Sequence, residues 1–193
     1  WYFPFIGSGK VIPVMGEGGI GTLSGSAPGF NFYYREILSD PSLEGRKNKF
    51  CAADREIMEK DIAQVRADPR AKSGILAVNI LEPMFDFREM VDTVGSTGGV
   101  DLLYPAAGLP RYLPKQMDQY PHMKYAPLVS GPRAADIMLK AARKSGGRPP
   151  DALYVESPEF AGGHLGAKDD IDARNLEPVD PARPDGPRKF DRK

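Results

Sequence analysis

Four short apolar runs recur along the chain: "GILAVNI" (74–80), "VDLLYPA" (100–106), "YAPLVS" (125–130) and "DALYVES" (151–157). Their starts fall about 25 residues apart, which leaves room for one helix between strands. Each run is continuous rather than alternating, the pattern of a strand buried on both faces in a parallel sheet. The segments between them carry helical spacing. "DFREMVDTVGSTGG" (86–99) and "GPRAADIMLKAARKSGG" (131–147) repeat apolar residues at helical intervals, and the second has basic residues late and glycines at both ends. "NKFCAADREIMEKDIAQVRADP" (48–69) predicts a long amphipathic helix with Phe50, Ile57, Ile62 and Val65 as core contacts. This is a βαβα chain, hence an α/β fold with a parallel sheet.

The ends read differently. Residues 1–47 predict one apolar strand, "KVIPVM", then a glycine- and serine-rich turn region. The stretch from 167 to 193 is rich in proline and mixed charge with no helix or strand period, and predicts a loosely ordered tail beyond a folded unit at 1–166. A chain of 193 residues suffices for one well-buried domain. Lysine plus arginine equals aspartate plus glutamate, 26 each, so charge gives no reason to expect nucleic acid or an anionic membrane as partner. The single cysteine, Cys51, precludes an internal disulfide and suits a reducing, cytoplasmic setting. Nothing local would activate its thiol, so it reads as a packing group. The opening "WYFPFIGSGK" lacks a basic leader and a cleavage site, and with no initiator methionine the chain is expected to be processed or incomplete.

"GEGGIG" (16–21) matches the glycine pattern of a dinucleotide-binding turn. That turn opens a helix, whereas "TLSGSAPGFN" continues with serine, glycine and proline. A glycine turn leading into a short strand, "IGTLSG", is the better reading.

Ligands of parallel α/β folds sit at the carboxyl ends of the strands. Asn79, Gly108, Ser130 and Glu156 fall at the ends of the four runs, and "EFAGGHLG" follows at once with Gly162, Gly163 and His164. Glycines around one imidazole permit close backbone approach to a ligand. Each residue also has a structural alternative. Asn79 could cap the next segment, Ser130 could N-cap the following helix, and Glu156 could be a solvated charge. His122 precedes its strand and reads as structural at the opposite rim.

The segment "PDALYVESPEFAGGHLG" (150–166) resembles the nitronate monooxygenase, or 2-nitropropane dioxygenase-like, flavoproteins, a family that includes related enoyl-acyl-carrier-protein reductases. "GGIGTLSG", "GILAVNI", "GVDLLYPAAGLP" and "YAPLVSGPRAA" are similar to its other segments, in the family's order. The resemblance implies an FMN-dependent (β/α) barrel of the TIM type, here incomplete. It implies His164 as the catalytic base and Asn79, Glu156, Gly162 and Gly163 at the flavin; Gly108 and Ser130 join the expected cofactor-binding set by their place at the strand ends, and no metal is expected. It implies oxidation of nitronates or nitroalkanes by dioxygen; reduction of an enoyl thioester or quinone by NAD(P)H is the alternative. Two departures accompany it. Met15 stands where the family has a glycine-methionine turn, in a compressed "VIPVMGEGGIG", and no phosphate-binding βα unit follows the histidine loop. A third expectation follows from those departures: a non-catalytic partial barrel that self-associates through an open sheet edge or needs a partner chain.

Overall fold

The structure, a computed structural model, describes residues 8–156. It opens with helix α1 (Ser8–Gly16), followed by strand β1 (Ile20–Ser24), helix α2 (Phe30–Ser39) and helix α3 (Leu43–Ala67). Strand β2 (Ile75–Leu81), helix α4 (Phe87–Thr97), strand β3 (Leu102–Ala106) and the short helix α5 (Leu113–Gln116) come next. Two-residue strands β4 (Lys124–Tyr125) and β5 (Leu128–Val129), helix α6 (Pro132–Ser145) and strand β6 (Tyr154–Val155) complete the described residues. All strand pairings are parallel, in the order β1-β2-β3-β4 and β5-β6. The protein is thus mixed α/β with parallel sheets, arranged as a barrel that does not close among the described residues.

Several expected elements differ. "DALYVES", expected as a strand buried on both faces, pairs only over Tyr154–Val155, and both residues are exposed; α2 stands where a glycine- and serine-rich turn region was expected. "KVIPVM" is helical, not a strand: it forms most of α1. Val11, Ile12 and Met15 lie one and three residues apart, a helical stripe, and all three are buried while Val14 is exposed. Met15 therefore belongs to the core and not to a turn beneath a ligand. "YAPLVS" does not run as one strand. Pro127 cannot donate to a ladder, and β4 pairs with β3 while β5 pairs with β6. The course nonetheless stays bonded on both sides: Ala126 N–H donates to Leu103 O at 2.9 Å, and Tyr154 N–H donates to Pro127 O at 3.0 Å. The long helix begins five residues earlier than expected, because Ser42 caps it by accepting from Gly45 N–H at 2.9 Å.

The core lies between the sheet and its helices. Leu76, Val78 and Ile80 of β2, Leu23 of β1 and Leu103 of β3 join Met58, Ile62 and Val65 of α3 and Met90, Val91 and Val94 of α4 in one cluster. Alternation along each strand turns the other residues inward. Thr22 and Ser24, Ala77 and Asn79, and Leu102 and Tyr104 consequently line the inner face, with Ser24, Asn79 and Tyr104 in register across three strands.

One bonding device appears twice. Asp101, just before β3, receives Leu76 N–H on its side chain at 2.8 Å and donates its own N–H to Leu76 O at 2.9 Å. Asp151, ahead of β6, does the same with Tyr125, at 3.0 Å in each direction. The aspartate completes the ladder where the parallel pairing starts.

Candidate functional site

The carboxyl ends of β1, β2, β3, β5 and β6 form one rim, and the loops that leave β1, β2, β3 and β5 build its surface. Asn79 lies inside β2, half-buried. Its Nδ2 donates to Tyr104 O at 3.0 Å, so the amide ties β2 to β3 rather than capping the following turn. Its Oδ1 has no hydrogen bond among the described residues. Gly108 follows β3, and a Cβ there would stand 2.7 Å from the Cβ of Glu82. The absent side chain therefore makes room for Glu82, which leaves the end of β2. Ser130 follows β5 but does not cap α6. The N-cap is Gly131, in extended backbone, with no side-chain bond to the helix. Glu156 follows β6, and its N–H donates to Val129 O at 3.1 Å. Topology thus brings Asn79, Gly108, Ser130 and Glu156 to the ends of neighbouring strands. Gly162, Gly163 and His164 lie outside the described residues, as does the 167–193 tail. His122 lies just before β4, at the other rim, exposed and edge-on to Tyr120 at 6.4 Å.

Several rim features carried no sequence signal. Ser26 Oγ accepts Leu81 N–H at 2.9 Å and holds the loop after β1 to the end of β2. Ala27 and Ala107, in the loops after β1 and β3, have φ of 55° and 59°. Left-handed backbone costs a residue with a Cβ about 1–2 kcal/mol, and such strain gathers at functional loops. On the inner face, the rings of Tyr104 and Tyr154 meet edge to face at 5.5 Å, with Tyr154 51% exposed. Burial, then the neighbouring Tyr154, raises the Tyr104 hydroxyl above the usual phenol range. It is a neutral donor at any physiological pH. An apolar wall stands beside the β1 and β2 loops: Phe50 packs against Phe30 at 5.8 Å and Phe85 at 5.0 Å.

Chemically, the rim offers an amide acceptor, two carboxylates, hydroxyls and two aromatic faces. That set suits a flat heteroaromatic ring with hydrogen-bonding edges. Among the described residues no group of three or more His, Cys, Asp or Glu side chains could hold a metal ion. No helix among them is long and apolar enough to cross a membrane.

No family model and no curated protein sequence matches the chain. Among solved structures it is similar to FabK from Thermotoga maritima, with a TM-score of 0.56 and 17% identity over 89% of this chain and 42% of that one. A mutant of the same FabK matches with a TM-score of 0.47 and 21% identity, over 58% of this chain and 34% of that one. The first likeness shows the fold, a TIM-barrel neighbour for an unclosed barrel. The chain spans less than half the length of that neighbour.

Proposed function

We propose that this chain carries the ring-binding rim of an FMN-dependent oxidoreductase that oxidises nitronates or nitroalkanes. The observation that carries the reading is the convergence of Asn79, Gly108, Ser130 and Glu156 on the carboxyl rim of a parallel barrel, immediately ahead of the histidine loop. The donor set supports it. Asn79 Oδ1 and the rim carboxylates accept from an imide N–H, the Ser130 hydroxyl serves a carbonyl edge, and Tyr104 and Tyr154 give an apolar floor. FMN, when bound, supplies electron transfer between substrate and dioxygen. The chain's own part is to orient the ring, exclude water and move one proton. His164 takes the base role by its match to the family's histidine; an imidazole with an ordinary pKa near ~6.5 can hold a substrate carbon's proton at neutral pH.

A second reading, reduction of an enoyl thioester or quinone by NAD(P)H, uses the same rim and draws support from the fold likeness to FabK. The deciding experiment is a visible spectrum of the purified chain titrated with FMN. Bound flavin bleached anaerobically by a nitronate, with the response lost in His164→Ala, is the expected result. Bleaching by NAD(P)H alone selects the second reading. No perturbed flavin spectrum at any FMN concentration would overturn both and leave a non-catalytic partial barrel.

A further inference from the structure

Two carboxyl groups meet inside the protein without a cation. Asp54, on α3, is 0% exposed, and Asp86, at the start of α4, is 3% exposed. None of the ion pairs among the described residues involves either. Asp54 Oδ1 accepts Gly29 N–H at 2.8 Å, at the N-terminus of α2. Its Oδ2 is buried with no donor supplied to it, and the carboxyl that it meets is that of Asp86. Two carboxylate oxygens cannot bond unless one carries a proton. Asp86 supports the same conclusion. It occupies the N-cap of α4, where an aspartate ordinarily bonds into its own helix, yet its side chain makes no cap bond there.

We propose that Asp54 and Asp86 share one proton and form a pH-sensitive clasp between the β1–α2 loop and the β2–α4 loop of the rim. The clasp stands on these contacts and not on any reading of the chemistry at the rim. Gly29 is shaped for it: a Cβ there would lie 2.6 Å from Asp54 N and closer still to the Ala53 carbonyl, so the loop must lie flat on α3.

Electrostatics agree with the geometry. Burial pushes the Asp54 carboxyl up to about 7; the charge and hydrogen bond of Asp86 add to this, against the Gly29 and Phe30 N–H groups. Burial also raises Asp86, which its own backbone N–H and then its bond to Asp54 oppose and the Glu89 charge assists. The other groups facing the pair are acidic. From α4 comes Glu89, and from α3 the Cys51 thiol, which burial pushes up to about 12 and which lies 3.5 Å from Glu89 Oε2. From α2 the pair meets backbone; Tyr33 and Glu36 of that helix line a separate cleft with Lys49 and Glu56. Loss of the shared proton leaves two buried negative charges facing each other, and the two loops part.

The sign follows from proton counting. Between the ordinary aspartate pKa and about 7 the folded protein holds a proton that the unfolded chain has released, so stability falls as pH rises through this window. One proton makes the opening constant rise about tenfold per pH unit there, levelling off above it. The test is urea unfolding and Gly29 and Phe30 amide exchange, from about pH 5 to about pH 9, on the whole chain and on Asp54→Asn and Asp86→Asn. The expected result is the tenfold-per-unit rise in the parent, its loss in Asp54→Asn, and its earlier levelling in Asp86→Asn, where a neighbouring charge is gone. A parent profile that is flat across the window overturns the clasp. So does an Asp54→Asn profile identical to the parent's. If Asp54→Asn does not fold, an unshifted Asp86→Asn profile overturns it equally.

Discussion

Ala27 and Ala107 hold left-handed backbone without the freedom of glycine. Neither could be picked out from sequence, because alanine ordinarily keeps φ negative and carries no signal for a left-handed turn. Replacing either by glycine removes the Cβ clash but adds freedom to the unfolded chain. The expected balance is a gain of up to about 1 kcal/mol each, measured by urea denaturation; a loss at both positions would show that the strain is absent. Gly29 behaves oppositely. Its added Cβ meets the backbone of α3, which cannot step aside, so Gly29→Ala is expected to cost roughly 1–3 kcal/mol, with a lower melting temperature as the readout. At this scale the sequence was informative about which residues reach the rim, and less so about what they do. Asn79 reaches it but spends its amide on Tyr104, and Ser130 reaches it but leaves the capping position to Gly131. Both outcomes depend on a partner far away in sequence.

Strand starts in this fold are fastened by aspartates, and the two instances invite a paired experiment. Asp101→Ala strips a partner from Leu76 N–H, and Asp151→Ala strips one from Tyr125 N–H. Each is expected to cost about 1–3 kcal/mol, the penalty of an amide left without its acceptor. Equal stability of parent and variants would mean that water replaces the carboxylate without loss. Asp151 adds a pH signature. Burial raises its carboxyl, but the Tyr125 N–H, Lys124 and Arg148 outweigh that and hold it below the usual range. Its contribution is therefore complete above the ordinary aspartate pKa and is lost as pH falls through the lowered one. Its loss is expected at acid pH, well below the window of the Asp54–Asp86 clasp. At the level of elements, "KVIPVM" shows where short-range reading stops. Six apolar-rich residues fit a strand and a helix turn equally well, and the burial of Val11, Ile12 and Met15 on one stripe settled the matter only once α3 and β2 were in place.

The inner face of the described residues remains accessible. Ile20 is 45% exposed and Ile75 42%, both facing inward, and among the described residues β1 and β6 each have a strand neighbour on one side only. Parallel edges with free N–H and C=O groups recruit further strands. We propose that the chain self-associates through these edges. Sedimentation is expected to show a species that grows with concentration and recedes in Ile20→Lys and Ile75→Lys, whose charges face the inner surface. A concentration-independent monomer would count against it.

By itself the sequence determined the class of this protein: continuous apolar runs at helix-length spacing admit few solutions besides a parallel α/β sheet with helices packed against it. It also placed Asn79, Gly108, Ser130 and Glu156 at one rim, because strand ends in a parallel sheet share a side. Only the tertiary structure decided that "KVIPVM" is a helix, that "YAPLVS" splits between two pairings, and that Asp54 of α3 meets Asp86 at the start of α4. The physical reason is range. Hydrophobic periodicity is written in neighbouring residues, whereas a carboxyl pair and a left-handed alanine are consequences of segments that meet after the chain has folded.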